Sequence, residues 1–155
     1  MGDFESIKKR AFRILGNRNF SEQEMQKRLI SKGESPEDAK AAVRWLVEYG
    51  YINDSEYATM IVTHYVSKGY GISRIKDELY KRGIPRDQWD EKLSMIDEPE
   101  MDDIALQFLQ KKLRGSDDKD DLRRAADALV RRGYSFDDAR AAVNRYMECL
   151  ENPEE

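Results

Sequence analysis

One short pattern occurs three times in this sequence, at intervals of 50 residues. In each copy a leucine is followed by a glycine four residues later and by an aliphatic residue ten residues after that. The copies read "LISKGESPEDAKAAV" (29–43), "LYKRGIPRDQWDEKL" (79–93) and "LVRRGYSFDDARAAV" (129–143). A glycine at the end of an apolar periodic run is typical of a helix C-terminus, and a polar residue shortly after it is typical of a new helix start. The spacing therefore predicts a helical repeat protein.

Helix signals surround each of these corners. The segment "FESIKKRAFRIL" (4–15) carries apolar residues at helical spacing. "SEQE" (21–24) is a capping-box pattern in which Ser21 and Glu24 satisfy backbone N–H groups at the start of a helix. Gly33 is expected to end that helix, and Ser35 is expected to begin the next.

The first helix of each set repeats at a different spacing, 47 residues, with alanine at 11, 58 and 105. Asp54 is the predicted N-cap of the second such helix. We predict an all-α fold of nine helices, in three tandem three-helix (helix-turn-helix-like) repeats that form a curved, elongated array. The predicted bounds are 1–50, 51–97 and 98–155, the last with an acidic tail.

Composition narrows the class of protein. No stretch is apolar enough to cross a membrane, and the single Cys149 has no partner for an internal disulfide. These features favour a soluble protein of the reducing cytoplasm without membrane contact. We also expect a monomer.

The sequence contains little that would support catalysis. The only histidine, His64, has no cysteine or second histidine near it in the sequence. "DDKDDL" (117–122) lacks the glycine and the closing glutamate of a calcium loop. Nucleotide-binding and nucleophile motifs are absent. We expect no enzyme activity, no metal and no cofactor.

Charge is distributed unevenly along the chain. Residues 1–92 hold 17 lysine and arginine residues against 15 acidic ones, whereas residues 93–155 hold 10 against 16. Residues 68–86 alone have a net charge of +4. The candidate contact residues for an acidic partner are Lys27, Arg28, Lys32, Lys68, Arg74, Lys76, Lys81, Arg82 and Arg86.

Two alternatives remain for these cations. Those in the last turn of a helix stabilise its C-terminus by about 0.3–1 kcal/mol without any partner. Lys68, Arg74 and Arg86 lie outside the predicted last turns, so this explanation does not cover them. Tyr51, Tyr70 and Tyr134 lie next to glycine turns and are either exposed anchors or hydrophobic staples.

Three motifs in order resemble the RecX regulatory proteins of bacteria. They are "FSEQEMQKRLISKG" (20–33), "WLVEYGYINDSEYA" (45–58) and "KGYGISRIKDELYKRGI" (68–84). The resemblance covers residues 8–97 well and continues through "ALVRRGYSFDDARAAV" (128–143).

The resemblance implies a non-enzymatic negative regulator of the RecA recombinase. Members of the family bind the groove of the RecA filament on single-stranded DNA, block its extension or promote its disassembly, and restrain DNA recombination, DNA repair and the SOS response. The net charge of −4 makes direct DNA binding weak at most and favours contact with the recombinase. The alternatives are a DNA-binding helix-turn-helix protein that acts alone and a helical protein-interaction adaptor.

Overall fold

The computed structural model describes residues 3–153, and within that range the chain forms nine α-helices, one short 3₁₀ turn and no strand. The helices are α1 (Phe4–Leu15), α2 (Glu22–Ser31), α3 (Pro36–Glu48), α4 (Asp54–Ser67), α5 (Ile72–Lys81), α6 (Trp89–Leu93), α7 (Glu98–Leu113), α8 (Lys119–Arg131) and α9 (Phe136–Glu151). The 3₁₀ turn, Arg86–Gln88, runs directly into α6. The predicted all-α fold is confirmed.

Side-chain caps begin the helices where serine was expected. At α2, the Ser21 hydroxyl accepts from the Glu24 N–H at 3.0 Å, and the Glu24 carboxylate accepts from the Ser21 N–H at 3.1 Å. The Ser35 and Ser135 hydroxyls each accept from the N–H three residues later. A cap of this kind contributes about 1 kcal/mol, because it satisfies a backbone donor that the helix itself leaves unpaired.

The predicted cap at Asp54 was wrong. Asn53 caps α4, accepting from the Glu56 N–H at 3.1 Å, while Asp54 is the first residue of the helix. Asp54 is buried, and its carboxylate accepts from the Glu22 N–H at 2.9 Å. Both asparagine and aspartate are good caps, so the local sequence does not distinguish them. Asp54 instead connects the start of α4 to the start of α2, because its carboxylate accepts from the distant Glu22 N–H.

Five helices end in the same way, with a glycine of positive φ. The N–H of the residue after the glycine donates to a carbonyl five residues earlier, which is the Schellman arrangement. The five bonds are Glu34 to Leu29, Tyr51 to Leu46, Tyr70 to Tyr65, Ile84 to Leu79 and Tyr134 to Leu129. The repeated leucine therefore supplies both a core side chain and the carbonyl that closes the turn.

The chain divides into two compact units. The first contains the chain up to Met60 together with Glu78–Trp89. Its core is formed by α1, α2 and α3, and the buried residues are Ile7, Ala11, Ile14, Phe20, Met25, Leu29, Ala39, Ala42, Val43, Leu46 and Ile52.

The second unit contains Ile61–Asp77 and the chain from Asp90 onward. Its core is formed by α7, α8 and α9, and the buried residues are Met101, Ala105, Leu106, Leu109, Leu113, Ala125, Leu129, Tyr134, Ala139, Ala142 and Tyr146. The two units follow spatial contact, whereas the three predicted repeats follow sequence spacing. The division into three repeats stays a prediction.

A corner glycine makes a close approach to a neighbouring helix start in each unit. In the second unit, the Gly71 N–H donates to the Arg132 carbonyl at 2.8 Å, and the Ser73 N–H donates to the Gly133 carbonyl at 3.1 Å. A Cβ on Gly133 would lie 2.6 Å from the backbone nitrogen of Arg74. In the first unit, a Cβ on Gly83 would lie 2.8 Å from the Cβ of Gln23. Glycine is favoured at both corners because a Cβ would collide with a neighbouring helix, with the backbone of Arg74 at Gly133 and with the side chain of Gln23 at Gly83.

Candidate binding surface

Three of the predicted cations line one open groove in the first unit. This groove, which we call the first groove, has a volume of about 650 Å³ and lies between the start of α2 and the corner after α5. Its lining residues are Glu22, Gln23, Gln26, Lys27, Asp54, Tyr80, Lys81, Gly83, Ile84, Pro85, Arg86 and Trp89. Lys27, Lys81 and Arg86 are all exposed. The fold therefore gathers cations from residues 27 to 86 around a single concave surface.

Two of these cations have additional neighbours. The Arg86 guanidinium lies 5.2 Å from the ring centroid of Trp89, and the Lys81 ammonium is 3.9 Å from the buried Glu78 carboxylate. Both side chains stay accessible to a partner. Trp89 itself is anchored, because its indole N–H donates to the Ile84 carbonyl at 2.9 Å. The groove thus has a buried, hydrogen-bonded tryptophan in its wall and exposed cations at its edge.

A pair of carboxyl groups lies in the first groove as well. Burial raises the pKa of Asp54, and the charge of Glu24 adds to this effect, while the hydrogen bonds with Glu22 oppose it. Burial also raises the pKa of Glu22, and the nearby charge and hydrogen bond of Asp54 raise it further. The two groups therefore hold a proton more readily than isolated carboxyl groups do. Sequence reasoning missed this pair, because Glu22 and Asp54 are 32 positions apart.

Arg28 and Lys32 line a second groove in the same unit. It has a volume of about 330 Å³, and its lining residues are Arg10, Arg13, Ile14, Asn17, Arg28 and Lys32. Arg10 donates to the Glu34 carboxylate at 2.7 Å and to the Lys32 carbonyl at 3.0 Å. Arg10 and Arg13 were outside the predicted contact set. Their three-residue spacing places two cations on one flank of α1, and this spacing is the sequence signal that could have added them to the contact set.

Arg82 makes internal contacts. Its guanidinium donates to the Tyr57 hydroxyl at 2.8 Å and lies 3.7 Å from the Glu78 carboxylate. Arg18 donates to the same hydroxyl at 3.3 Å. Burial raises the pKa of Tyr57, and the hydrogen bond from Arg82 opposes that rise. The structure therefore places Arg82 among helix-packing residues of the first unit.

Arg74 lies beside aromatic rings of the second unit. Its guanidinium carbon is 4.9 Å from the Tyr70 ring centroid, and that of Arg132 is 4.4 Å from the same centroid. The Arg132 guanidinium also donates to the backbone carbonyl of Lys68. Cation–π contacts contribute about 0.5–1 kcal/mol each at exposed sites, so both arginines stabilise this corner through Tyr70.

The three tyrosines next to glycine turns differ in exposure. Tyr134 is 7% exposed and donates to the Gly69 carbonyl at 3.1 Å, so it is a staple within the second unit. Tyr70 is partly buried against Arg74 and Arg132. Tyr51 is 52% exposed, and its ring takes part in an aromatic cluster at the surface.

Lys76 has an acidic environment. It lines a groove of about 590 Å³ in the second unit together with Glu98, Asp102 and Asp138. Three carboxylates around one ammonium reduce the attraction of this groove for phosphate. The structure thus gathers Lys27, Lys81 and Arg86 in one groove and Arg28 and Lys32 in another, and it places the remaining predicted residues elsewhere.

Within residues 3–153, no group of three or more histidine, cysteine, aspartate or glutamate side chains is arranged to hold a metal ion. No helix in the part of the chain that the structure describes has the length and apolarity needed to span a bilayer.

Comparison with known proteins identifies the family. The family models for the second and third three-helix domains of RecX match residues 53–93 and 99–143. The chain is 31% identical to the regulatory protein RecX of Vibrio campbellii over 142 residues, which is 90% of each chain. It is 30% identical to that of Xanthomonas axonopodis pv. citri, over 90% of this chain and 86% of the relative.

Solved structures show the same fold. The crystal structure of RecX from Lactobacillus salivarius superposes with a TM-score of 0.83 at 18% identity, covering 93% of this chain and 96% of the other. A second regulatory protein RecX superposes with a TM-score of 0.79, covering 91% of this chain and 71% of the other. The predicted helical-repeat fold is confirmed. By its sequence matches and its fold, this chain belongs to the RecX family of regulatory proteins.

Proposed function

We propose that this protein is a negative regulator of the RecA recombinase that binds the RecA filament on single-stranded DNA. It blocks filament extension or promotes disassembly, and so restrains recombination and the SOS response. It acts as a cytoplasmic monomer, without catalysis of its own. Membership of a regulatory family supports this proposal, and the three cations around the first groove are the observation that carries it.

The proposal rests on the charge and exposure of Lys27, Lys81 and Arg86. These side chains lie on a concave surface of the first unit and are exposed to solvent. A nucleoprotein filament presents phosphates and acidic side chains, and exposed lysine and arginine tips attract both over about 10 Å at moderate salt. Residues 93–155, with their excess of acidic groups, are unsuited to the same contact. We therefore assign filament binding to the first groove, with Arg28 and Lys32 of the second groove as additional contacts.

The remaining candidate residues divide by their neighbours. Lys68 is exposed and stays in the proposed contact set. Lys76 stays in it as well, although its acidic neighbours reduce its attraction for phosphate. Arg74 and Arg82 pack against tyrosine side chains within the protein, so replacing either one changes the stability of the fold as well as any contact with the filament. The proposed repeats are 1–50, 51–97 and 98–155, and all the proposed contact residues lie in the first two.

Charge reversal of the first groove tests the proposal. The triple variant Lys27→Glu, Lys81→Glu and Arg86→Glu is expected to lose inhibition of RecA-dependent strand exchange and of the filament ATPase. The wild-type protein is expected to inhibit both. Circular dichroism and the melting midpoint verify that the variant is folded. These three positions are preferable to Arg74 or Arg82, because those two arginines make packing contacts.

The matched control reverses three exposed cations elsewhere, with Lys111→Glu, Lys112→Glu and Lys119→Glu. It changes the net charge by the same amount but lies in the acidic part of the chain, so inhibition is expected to persist. Equal loss of inhibition in both triple variants would show a general charge effect and count against the first groove. Absence of inhibition by the wild-type protein at stoichiometric amounts would reject the function itself.

A further inference from the structure

Four aromatic side chains form a cluster at the surface of the first unit. The Phe12 ring meets Trp45 edge-on at 5.7 Å and Tyr51 edge-on at 4.8 Å, measured between ring centroids. Trp45 also lies 5.8 Å from Tyr51, in a stacked orientation, and 5.1 Å from Tyr49. We call these four residues, on α1, α3 and the turn after α3, the aromatic patch.

The aromatic patch is far more exposed than a core cluster. Tyr49 is 62% exposed, Tyr51 is 52% exposed and Phe12 is 38% exposed. The position of Tyr51 is built into the turn, because Gly50 has a φ of +79° and the Tyr51 N–H donates to the Leu46 carbonyl at 2.8 Å. Trp45 packs partly against the hydrophobic core and supports the other rings from below. The fold thus holds large rings in place while leaving Tyr49 and Tyr51 more than half exposed to solvent.

Cations surround the patch on the α1 side. The Lys8 ammonium lies 4.4 Å from the Trp45 ring centroid and 4.8 Å from that of Phe4, and it pairs with the exposed Glu5 at 3.1 Å. Lys9 and Arg13, on the same helix, are exposed. Residues 4–15 hold four lysine and arginine residues against one glutamate.

The same helix separates the aromatic patch from the second groove. Lys8 and Phe12 are four residues apart and share one flank of α1, whereas Arg10 and Arg13 share the other flank and line the second groove. An α-helix with its side chains is about 10–12 Å across. A partner that crosses α1 would therefore meet aromatic rings on one side and cations on the other.

We propose that this surface binds single-stranded nucleic acid, with bases stacked on Tyr49 and Tyr51 and phosphates paired with the cations of α1 and the second groove. Exposed rings beside a basic groove are the combination that holds unpaired bases, because every base has a face that can stack and every nucleotide carries a phosphate. A duplex keeps its base faces covered, so it would engage only the cations. The excess of cations on α1 favours a polyanion over an apolar protein segment. The inference goes beyond filament regulation, because it requires no recombinase.

The test compares a short oligothymidylate with an abasic deoxyribose-phosphate oligomer of the same length. The chain has two tryptophans, and Trp89 is only 8% exposed, so bases that stack on the patch would quench mainly the emission of Trp45. We expect the oligothymidylate to quench this emission and the abasic oligomer to bind more weakly without quenching. Equal affinity of the wild-type protein for the two oligomers would overturn the proposal.

Substitutions then locate the stacking. Tyr51→Ala is expected to weaken oligothymidylate binding by about 5- to 160-fold, the range seen for loss of one stacked base, and Tyr49→Ala by a similar factor. Tyr51→Phe retains the ring and is expected to bind as the wild type does. Phe136→Ala is the matched control, because Phe136 is 71% exposed but belongs to the second unit. Unchanged affinity of Tyr51→Ala, or a loss in Phe136→Ala as large as that in Tyr51→Ala, would contradict the proposed site.

The test of the nucleic-acid site is independent of the test of the proposed function. Loss of base-dependent binding in Tyr51→Ala, with strand-exchange inhibition intact, would support the nucleic-acid site and show that regulation does not require it. Inhibition by a wild-type protein that does not discriminate the two oligomers would remove the nucleic-acid site and leave the proposed function in place.

Discussion

Glycine is needed at the corners of this fold for two reasons, its left-handed backbone conformation and its lack of a side chain. Single substitutions distinguish the two. Gly33 and Gly133 both have strongly positive φ, +106° and +104°. A Cβ on Gly33 would meet no atom within 4 Å, whereas a Cβ on Gly133 would lie 2.6 Å from the Arg74 backbone nitrogen. The first position requires only the left-handed conformation, and the second also requires the absence of a side chain.

We predict that Gly33→Ala lowers the free energy of unfolding by about 1 kcal/mol, the cost of placing a Cβ in the left-handed region. Gly133→Ala should cost about 1–3 kcal/mol more, because a backbone neighbour has to shift as in an overpacked core. Gly83→Val should lower the stability by at least about 1 kcal/mol, since Gly83 has a φ of +75° and a Cβ there would meet Gln23. Urea denaturation measures all three. Equal losses for Gly33→Ala and Gly133→Ala would show that the close approach costs nothing.

Single residues also show where sequence reasoning stops. The corner glycines and the serine caps were predictable, because their partners are the residues immediately around them. The role of Arg82 was not, because its hydroxyl partner on Tyr57 is 25 positions away. A cation in the last turn of a helix has the same local sequence whether it faces solvent or a neighbouring helix. Only the packing of α4 and α5 residues within the first unit distinguishes the two.

Between elements, the stability contributed by the contact of α2 with the start of α4 depends on the protonation of Glu22 and Asp54. Burial raises the pKa of Asp54 above 3.8 and that of Glu22 above 4.5 in the folded state. The folded protein therefore binds these protons more tightly than the unfolded chain does. The contribution of the pair to stability is greatest below those ordinary values and is lost as the pH rises through the raised pKa values.

We predict that Asp54→Asn lowers the pKa of Glu22 toward 4.5, because the neighbouring negative charge is removed. A carboxyl-carbon NMR titration measures both groups in the wild type and Glu22 in the variant. Asp121 serves as an internal control, since hydrogen bonds from Ser116 and Arg124 hold its pKa below 3.8. A Glu22 titration that is the same in both proteins would show that Asp54 does not contribute.

At the scale of elements, helix bounds were more predictable than helix contacts. The capping box at Ser21 and the glycine at 33 lie within a few residues of the ends they define, so α2 was predicted almost to its bounds. The grouping of charges was not predictable in this way. Lys27 and Arg86 come from distant segments, and they share the first groove because α2 and the corner after α5 belong to one compact unit.

For the molecule as a whole, the separation of charge along the sequence has a measurable consequence. Residues 1–92 have a net charge of +2 and residues 93–155 a net charge of −6. Screening confines each charge to about 10 Å at moderate salt, so distant acidic groups do not cancel a basic groove. An overall acidic protein can therefore bind a polyanion, provided that its basic residues make the contact.

We predict that affinity for the RecA filament on single-stranded DNA falls with rising salt, and that the first groove accounts for part of the slope. Each phosphate contact on a single strand contributes about −0.7 to the slope of log affinity against log salt. The triple variant Lys27→Gln, Lys81→Gln and Arg86→Gln should therefore bind with a slope shallower by about 2. Binding is measured on preformed filaments over a salt range in which the filament stays intact.

The paired control replaces two acidic groups of the second unit, Asp117→Asn and Asp120→Asn. Asp118 and Asp121 are left in place because the first caps α8 and the second accepts from Ser116 and Arg124. If residues 93–155 lie farther than a screening length from phosphate, this variant keeps the wild-type slope and affinity. A clear gain in affinity would place the acidic segment against the filament and contradict the assignment of contact to the basic grooves. An unchanged slope in the glutamine variant would show that Lys27, Lys81 and Arg86 do not contact phosphates of the filament.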